Sequence, residues 1–374
     1  MLFPLLCLLT LFYCVILTWL SYGLSRLREG RNQSQPSVSI IIAARNEEKN
    51  IAGCLNALSK QSYPAEKYEI IIVDDRSQDK TTAIVKEAMK RDSHIRLIEI
   101  RETKPFTSPK KWAIDQGISQ ANGEIILTTD ADCIVQTKWI ETMIRHFEEQ
   151  VGLVAGYSPL DQGNSQSLFH RFVELDALAL AAVAAGSFGV GFPLTCTGRN
   201  LAYRKSAYQQ ISGFHTIRNV ISGDDDLLLH KMKKKTEWEM RYAVKKQSMV
   251  SSAPPKNFMT FFHQRIRHAS KSRYYDNTMK TGLIAVYLFN FSILVLVLSK
   301  FWLLFFVIVG IKSCFEFFLL FKAARLFQQR RLLLYYPPAA ILHIVYVIIF
   351  GVWGQFGKFK WKETLYSSRA HSGM

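Results

Sequence analysis

The chain has 374 residues, with 47 Lys or Arg against 30 Asp or Glu, which gives a formal net charge of +17 at neutral pH. Its hydrophobic content of 49% excludes a disordered polypeptide, because such chains lack enough apolar surface to bury. Positive charge of this size indicates nucleic acid or an anionic membrane surface as a partner. The apolar residues are concentrated at the two ends of the chain, which favours a membrane, and no nucleic-acid-binding motif is present.

The N-terminal segment predicts a membrane anchor over residues 1–24. Leu2 to Leu20 is free of charged residues, and as a helix it would extend about 28 Å, enough to cross a hydrocarbon core. A cleaved signal peptide is the alternative, but no basic leader precedes the run. Arg26, Arg28 and Arg31 follow it directly and predict that the next segment faces the cytoplasm, as in a protein of the inner (cell) membrane.

Two or three further membrane segments are predicted between residues 282 and 357. The candidates are Gly282 to Ser299, Phe301 to Leu320, and Pro337 to about Gly357. Lys300 predicts a tight turn between the first two. Lys312 and Glu316 are four residues apart on one helical face, so they are able to form an ion pair inside the second segment.

The basic tail, residues 358–374, conflicts with three C-terminal crossings. Three crossings would leave Lys358, Lys360, Lys362 and Arg369 outside the cell, whereas basic flanks favour the inside. One of the three C-terminal segments is therefore a candidate for a re-entrant or interfacial segment. The segment that contains Pro337 and Pro338 is the main candidate. The number of crossings stays open.

The polar middle of the chain predicts an α/β domain over residues 36–275. It begins with apolar strands that alternate with helices; the predicted strands are Val38 to Ala43, Glu69 to Val73, Ile95 to Ile100 and Glu124 to Thr128. Strands that are apolar throughout indicate a mostly parallel sheet covered by helices on both faces. Ligands of such sheets bind where the strands end.

Acidic residues recur at those strand ends. Asn46 and Glu47 follow the first strand, Asp75 follows the second, and Asp130 and Asp132 follow the fourth. Helix caps and turns explain any one of them, but they are a poor explanation for all three groups. An Asp-x-Asp pair suits a hard divalent cation that also binds substrate phosphates. A glycine-rich phosphate loop is absent from the sequence, which disfavours kinases and dehydrogenases.

Six sequence motifs together resemble a membrane-bound, inverting glycosyltransferase of family 2 with the GT-A fold. They occur in the expected order between residues 36 and 275. They are the segments 38–47, 73–77, 129–132, 197–204, 223–227 and 264–268, which read VSIIIAARNE, VDDRS, TDAD, TGRNLAYR, GDDDL and QRIRH. The resemblance implies a Rossmann-like sheet and a hexosyltransferase that uses a nucleotide sugar.

The resemblance also implies roles for individual residues. Asn46, Glu47 and Asp75 would line the nucleotide pocket. Asp130 and Asp132 would flank the diphosphate and bind Mg²⁺ or Mn²⁺, and the metal would offset the charge of the leaving diphosphate. Lys111 occupies a position where the family often has a lysine before a helix, so it is a candidate for the nucleotide sugar; a solvated surface lysine is the alternative.

The segment from Gly223 to Asp226 supplies the candidate catalytic base. Inverting transfer needs a group that removes the proton of the acceptor hydroxyl. The family usually has Glu-Asp here, and alignment on Gly223 selects Asp225, while a shift of one residue selects Asp224. A helix start, where acids are favourable near the dipole, is compatible with either choice.

Two further motifs are expected at the acceptor and diphosphate side. Asn200 belongs to the first of them. Gln264 and Arg267 match the second, Gln-x-x-Arg-Trp, but His268 replaces the tryptophan, which puts the family's aromatic platform in doubt. Arg265 and Arg267 are candidates for contacts to diphosphate oxygens.

The expected reaction is transfer of a sugar from a nucleotide sugar to a lipid or glycan acceptor. The expected donor is a UDP-sugar. An apolar helix over Ser167 to Ala185 is either core or an interfacial helix that guides a lipid. Two alternatives are kept, a processive polysaccharide synthase and a non-catalytic membrane scaffold with a degenerate transferase domain. The sequence does not indicate an oligomeric state.

Overall fold

The structure is a computed structural model that describes residues 2–102, 104, 107–161, 167–361 and 364–367. The chain divides into two compact units. The first, which we call the helical unit, contains residues 1–26, 164–186 and 254–374; the second, the sheet unit, contains residues 27–163 and 187–253. Two segments of the expected domain over 36–275, residues 164–186 and 254–275, group with the apolar helices of the chain ends. The expected domain bounds stay a prediction.

The sheet unit is built on a seven-stranded sheet. The described strands of the chain are, in order, β1 (Val38–Ala44), β2 (Tyr68–Asp75), β3 (Ile95–Ile100), β4 (Ile125–Thr128), β5 (Cys133–Val135), β6 (Val151–Gly156), β7 (Leu201–Arg204), β8 (Glu239–Ala243), β9 (Val250–Ser252), β10 (Lys358–Trp361) and β11 (Thr364–Ser367). The large sheet has the order β3-β2-β1-β4-β7-β6-β8. Only β7 is antiparallel to its neighbours, so the predicted α/β class with a mostly parallel sheet is confirmed.

Helices occur along the described chain from Leu2 to Phe356. In order they are α1 (Leu2–Arg26), α2 (Ile51–Leu58), α3 (Thr81–Arg91), α4 (Pro109–Ser119), α5 (Trp139–Ile144), α6 (Leu168–Gly189), α7 (Lys205–Gln210), α8 (Asp226–Lys235), α9 (Phe258–Ser270), α10 (Asn277–Leu298), α11 (Trp302–Leu326) and α12 (Tyr336–Phe356). The strands and helices predicted between Val38 and Thr128 are all present, with ends that differ by a few residues.

The core of the sheet unit explains why its strands are apolar on both faces. Ile40, Ile42, Ile70, Ile72 and Leu127 are each 0% exposed in one cluster that also includes side chains of α2 and α5. The register pairs Ala44 with Asp74 across β1 and β2, so the acidic ends of these strands reach the same edge of the sheet. Burial of the isoleucines therefore fixes the positions of the polar residues that follow them.

Five helices of the described residues are long and apolar enough to cross a membrane: α1, α6, α10, α11 and a segment that contains α12. Four of them match the predicted membrane segments, and Lys300 forms the predicted tight turn with a φ of +60°. α6 differs from the other four helices, because 61% of its apolar stretch is buried within the protein. It therefore has the burial expected of a packed helix rather than of one surrounded by lipid.

The predicted ion pair of α11 is present and belongs to a larger polar cluster. Lys312 Nζ lies 2.8 Å from Glu316 Oε1, and His343 Nδ1 of α12 lies 3.2 Å from the same oxygen. Tyr13 of α1 donates a hydrogen bond to Glu316, and Tyr336 Oη donates to its other oxygen at 3.2 Å. Opposite charges and hydroxyl donors satisfy one another here, which lowers the free-energy cost of placing them in an apolar bundle.

The two ends of α12 contact specific parts of the helical unit. At its start, Tyr336 Oη donates to the carbonyl oxygen of Ser313 at 2.9 Å. At its end, Gln355 Nε2 donates to Ser272 Oγ at 2.8 Å, and Gly354 packs against Ala269. α12 therefore ends beside the residues that directly precede α10.

Candidate active site

The candidate active site lies at the sheet edge where β4 ends and α8 begins, within the sheet unit. Lys110 Nζ lies 2.8 Å from Asp130 Oδ1 and 2.8 Å from Asp224 Oδ2. One ammonium group therefore joins the Asp-x-Asp motif to the acidic segment before α8, although the two are far apart in sequence. Burial by itself would lower the pKa of Lys110, but the carboxylates of Asp130 and Asp224 outweigh it and raise this pKa above its ordinary value.

Two glycines allow these side chains to approach. A Cβ at Gly198 would lie 2.9 Å from Asp224 Oδ2, so a larger residue would push against the acidic segment. Gly223 has a φ of +85°, in the left-handed region, and a Cβ there would collide with Leu227. The backbone at position 223 therefore requires glycine, whereas a larger residue at position 198 would displace the Asp224 carboxylate.

Asp225 is the N-cap of α8. One of its carboxylate oxygens accepts a hydrogen bond from the Asp226 amide at 2.7 Å, and the other accepts from the Gly198 amide at 3.3 Å. Asp225 therefore begins a helix, as the sequence predicted, and these two hydrogen bonds fix the orientation of its carboxylate. Its role as the base stays a prediction. Asp226 is fully buried, with 0% exposure.

Asp132 follows Asp130 on the same edge. Withdrawal from water raises the pKa of Asp132, the carboxylates of Asp130 and Glu47 raise it further, and Arg199 opposes them. Among the described residues, groups of three or more His, Cys, Asp or Glu with metal-binding geometry are absent. Two crowded carboxylates nevertheless fit a hard divalent cation that takes its remaining ligands from phosphate and water.

The expected nucleotide residues lie on two interlocked loops. The Asn46 side-chain oxygen accepts from the Gln78 amide at 2.9 Å, and the Asn46 amide donates to Ser77 Oγ at 2.9 Å. Asn46 has a φ of +52°, a backbone conformation that the cross-link stabilises. The Glu47 amide donates to Thr81 Oγ1 at 2.8 Å, which ties the same loop to the start of α3.

Asp75 lies between two arginines. Its carboxylate is 2.8 Å from Arg76 and 3.6 Å from Arg45, and the residue is only 5% exposed. The contact of Asp75 with a base and ribose stays a prediction.

Two candidates are placed differently from the expectation. Lys111 is 1% exposed, and its ammonium donates to the backbone carbonyl oxygens of Ile217, Val220 and Ser222 at 2.5–3.1 Å. It is neither a surface lysine nor a ligand of the sheet edge, and its neighbour Lys110 takes that position. α4 begins at Pro109, and the two successive side chains leave it in different directions, a difference that spacing in the sequence does not predict.

Asn200 is the second case. It is 0% exposed, accepts from Trp139 Nε1 at 3.0 Å and donates to the carbonyl oxygens of Tyr157 and Ser248. These bonds use its amide to join three segments of the sheet unit. The expected contact of Asn200 with acceptor or diphosphate stays a prediction.

The Gln-x-x-Arg segment forms part of α9 in the helical unit. Arg265 is buried and forms an ion pair with Asp176 of α6, and its expected contact with diphosphate stays a prediction. The ring nitrogen Nδ1 of His268 lies 3.4 Å from the Arg265 guanidinium. Gln264 and Arg267 are half-buried, and their expected role stays a prediction.

The mostly parallel sheet with one antiparallel strand and a carboxylate-rich edge is the arrangement expected of the GT-A fold. Residues 39–211 match the family described as Glycosyl transferase family 2, and the chain therefore carries a family 2 glycosyltransferase domain.

Two known proteins are similar in sequence to parts of the chain. It is 26% identical over 246 residues to a probable glycosyltransferase, YdaM, of Bacillus subtilis, which covers 64% of this chain and 56% of that protein. It is 37% identical over 122 residues to beta-monoglucosyldiacylglycerol synthase of Trichormus variabilis, covering 32% of this chain and 26% of that protein. The chain thus spans about half or less of the length of these relatives.

Among solved structures, the mannosyltransferase PcManGT of Pyrobaculum calidifontis, in complex with GDP-Man and Mn²⁺, has a TM-score of 0.59. The match covers 95% of this chain and 99% of that one at 18% identity, and at this identity it supports the fold alone.

Proposed function

We propose that this glycosyltransferase is bound to the inner (cell) membrane with its sheet unit in the cytoplasm. It transfers a sugar from a nucleotide sugar to a lipid or lipid-linked acceptor and inverts the configuration of the anomeric carbon. A UDP-sugar is the expected donor. The observation that carries the proposal is the ion-paired group of Lys110, Asp130 and Asp224, with Asp132 and Asp225 on the same edge. The apolar helices and the glycolipid-synthesising relative support a lipid acceptor.

In this reaction Asp225 is the base. As the acceptor oxygen attacks the anomeric carbon, its proton passes to the Asp225 carboxylate, and the bond between that carbon and the diphosphate oxygen breaks. Two backbone amides orient Asp225. Asp224 is less suited to the role because its carboxylate is held by the Lys110 ammonium.

Asp130 and Asp132 would hold Mg²⁺ or Mn²⁺, which would supply positive charge against the leaving diphosphate. Lys110 contacts Asp130, so its ammonium group would add positive charge at the same group of carboxylates. Lys110 is therefore a further candidate for contact with the diphosphate.

The decisive experiment is a donor and acceptor assay on the purified chain in detergent with Mn²⁺ or Mg²⁺. A panel of UDP- and GDP-sugars is offered with diacylglycerol and polyprenyl phosphate, and the products are separated by size. A single added sugar supports the proposal, whereas a ladder of sizes indicates a processive polysaccharide synthase.

Two matched variants test the base. Asp225→Asn should lower transfer by at least about 100-fold, in the range of a lost general base, while nucleotide binding is retained. Asp224→Asn should weaken transfer less. The opposite order would move the base to Asp224, and wild-type rates in both variants would remove the catalytic assignment.

A further inference from the structure

The sheet unit contains a cavity outside the carboxylate edge. Its volume is about 340 Å³, within the usual range of small-molecule sites. It lies between the loop before α4, α4 itself, α7 and the loop from Ser212 to Arg218. Asp130, Asp132, Asp224 and Asp225 are not part of its lining.

The rim of this cavity is positively charged. Lys104, His215 and Arg218 line it and are exposed. Lys104 Nζ is held 4.1 Å from the centre of the Trp112 ring, which fixes one positive charge over the cavity wall. Asp115, the one acidic residue among the described residues of the lining, accepts a hydrogen bond from Tyr208 Oη at 2.8 Å. Positive charge therefore exceeds negative charge among the lining residues.

The remaining lining is suited to a sugar ring. Trp112, Tyr208 and Phe214 supply aromatic surface, while Thr107, Gln209 and Ser212 supply hydrogen-bonding groups. Small-molecule sites typically combine apolar walls with a few polar groups that fix the orientation of the ligand. The cavity is also larger than an inorganic phosphate ion requires.

The loop of the cavity is held by two buried lysines. Lys111 donates to the Ile217 carbonyl oxygen of this loop and to those of Val220 and Ser222 just after it, and Lys231 Nζ donates to the Gly213 carbonyl oxygen at 2.6 Å. The same loop leads directly into Gly223 and the acidic segment before α8. A ligand in the cavity therefore contacts both α4, which carries Lys110, and the loop that positions Asp224.

From this arrangement we propose that the cavity is a second binding site for an anionic saccharide, a sugar that carries a phosphate or a carboxylate. The anion binds Arg218 and Lys104, and the sugar lies against the aromatic wall. The site is separate from the carboxylate edge, so its occupancy does not depend on the transfer reaction.

The test measures thermal stabilisation of the full chain in detergent with four probes: glucose 1-phosphate, glucuronate, glucose and inorganic phosphate. We expect a concentration-dependent rise of the melting midpoint with glucose 1-phosphate or glucuronate and a smaller one with glucose or phosphate. The comparison of the first two identifies phosphate or carboxylate as the preferred anion. Equal effects of inorganic phosphate and glucose 1-phosphate would overturn the saccharide assignment.

Variants locate the site. Arg218→Gln and Lys104→Gln should each weaken the apparent affinity for the effective probe by about tenfold or more, in line with the loss of a charged hydrogen bond. Lys138→Gln, which removes the same charge from an exposed residue outside the lining, should leave it unchanged. Asp130→Ala should also retain the effect. Loss of stabilisation in Asp130→Ala, but not in Arg218→Gln, would place the ligand at the carboxylate edge and overturn the proposal.

Discussion

Lys110 and Lys111 are adjacent in sequence but have opposite environments. Lys110 contacts two carboxylates at the sheet edge, and Lys111 contacts three carbonyl oxygens of one loop. The sequence predicts a functional lysine at this turn, but it does not predict which of the two faces the edge, because that depends on the direction in which α4 leaves its first turn.

The two lysines should therefore respond differently to substitution. Lys110→Met should lower transfer strongly and also lower the melting midpoint, because Asp130 and Asp224 lose the cation that they share. Lys111→Met should lower the free energy of unfolding by about 3 kcal/mol, because three buried carbonyl oxygens lose their donor, and the molecules that stay folded should retain transfer. Activity assays and melting curves of both variants check this, and transfer at the wild-type rate in Lys110→Met would contradict it.

The buried His146 makes the stability of the folded protein depend on pH. It is 3% exposed, and burial together with the nearby Arg241 lowers its pKa to about 4. The unfolded chain takes up a proton near pH 6.5 and the folded chain does not, so stability is lost as the pH falls below 6.5, down to the folded pKa.

Between pH 7.5 and pH 5 this single residue should reduce the free energy of unfolding by about 2 kcal/mol. The measurement compares melting midpoints at the two pH values for the wild type and His146→Gln. The variant should show a smaller difference between the two pH values, whatever its absolute stability. An identical difference in both proteins would exclude His146 as the cause.

At the scale of the element, Asn200 joins β7 to neighbouring segments. Its amide satisfies the Trp139 indole and two backbone carbonyl oxygens. Asn200→Ala should lower the free energy of unfolding by about 3 kcal/mol or more, because all three partners stay buried without a bond. The exposed Asn56→Ala is the control, and melting curves that agree between the two variants would refute the structural role.

α12 is the element that bears on membrane topology. α10 and α11 form a hairpin through the turn at Lys300, and Lys322 near the end of α11 donates to Ser25 Oγ at the end of α1. α12 starts against α11 and ends beside Ser272 and Ala269, which precede α10. We therefore expect that α12 does not cross, and that the tail returns to the side on which α10 begins.

Labelling with a membrane-impermeant maleimide tests this expectation, in a chain whose accessible native cysteines are changed to serine. Ser367→Cys in β11 should label from the same side of the membrane as Lys256→Cys, before α9. Lys300→Cys should label from the opposite side. Labelling of Ser367→Cys together with Lys300→Cys would instead show that α12 crosses.

For the whole molecule, the strands of the sheet were predictable because continuous isoleucine and valine runs have few alternatives to a buried parallel strand. The acids at the strand ends follow from the same pattern. The grouping of α6 and α9 with the apolar helices was not predictable, because an apolar helix fits a core and a membrane interface equally well. The Arg265–Asp176 pair joins residues far apart in sequence, so local spacing contains no signal for it.

The division into units makes a prediction for the whole chain. Residues 27–161 and 187–253, joined by a flexible Gly-Ser linker of about 15 residues, should fold as a soluble domain with a cooperative thermal transition. This protein lacks the Gln-x-x-Arg segment, so we expect it to be inactive in transfer. Aggregation of this protein together with loss of its far-ultraviolet signal would show that the sheet unit requires the helical unit to fold.

The order in which the two units appear along the chain has a consequence for synthesis in the cell. β1 to β6 are translated before α6, and β7 and β8, which complete the same sheet, are translated after it. An incomplete sheet with an unpaired edge at β4 must therefore persist on the ribosome while an apolar helix emerges. The nascent chain is most exposed to misassembly during that interval, and slow codons or chaperone binding would have their greatest effect on yield there.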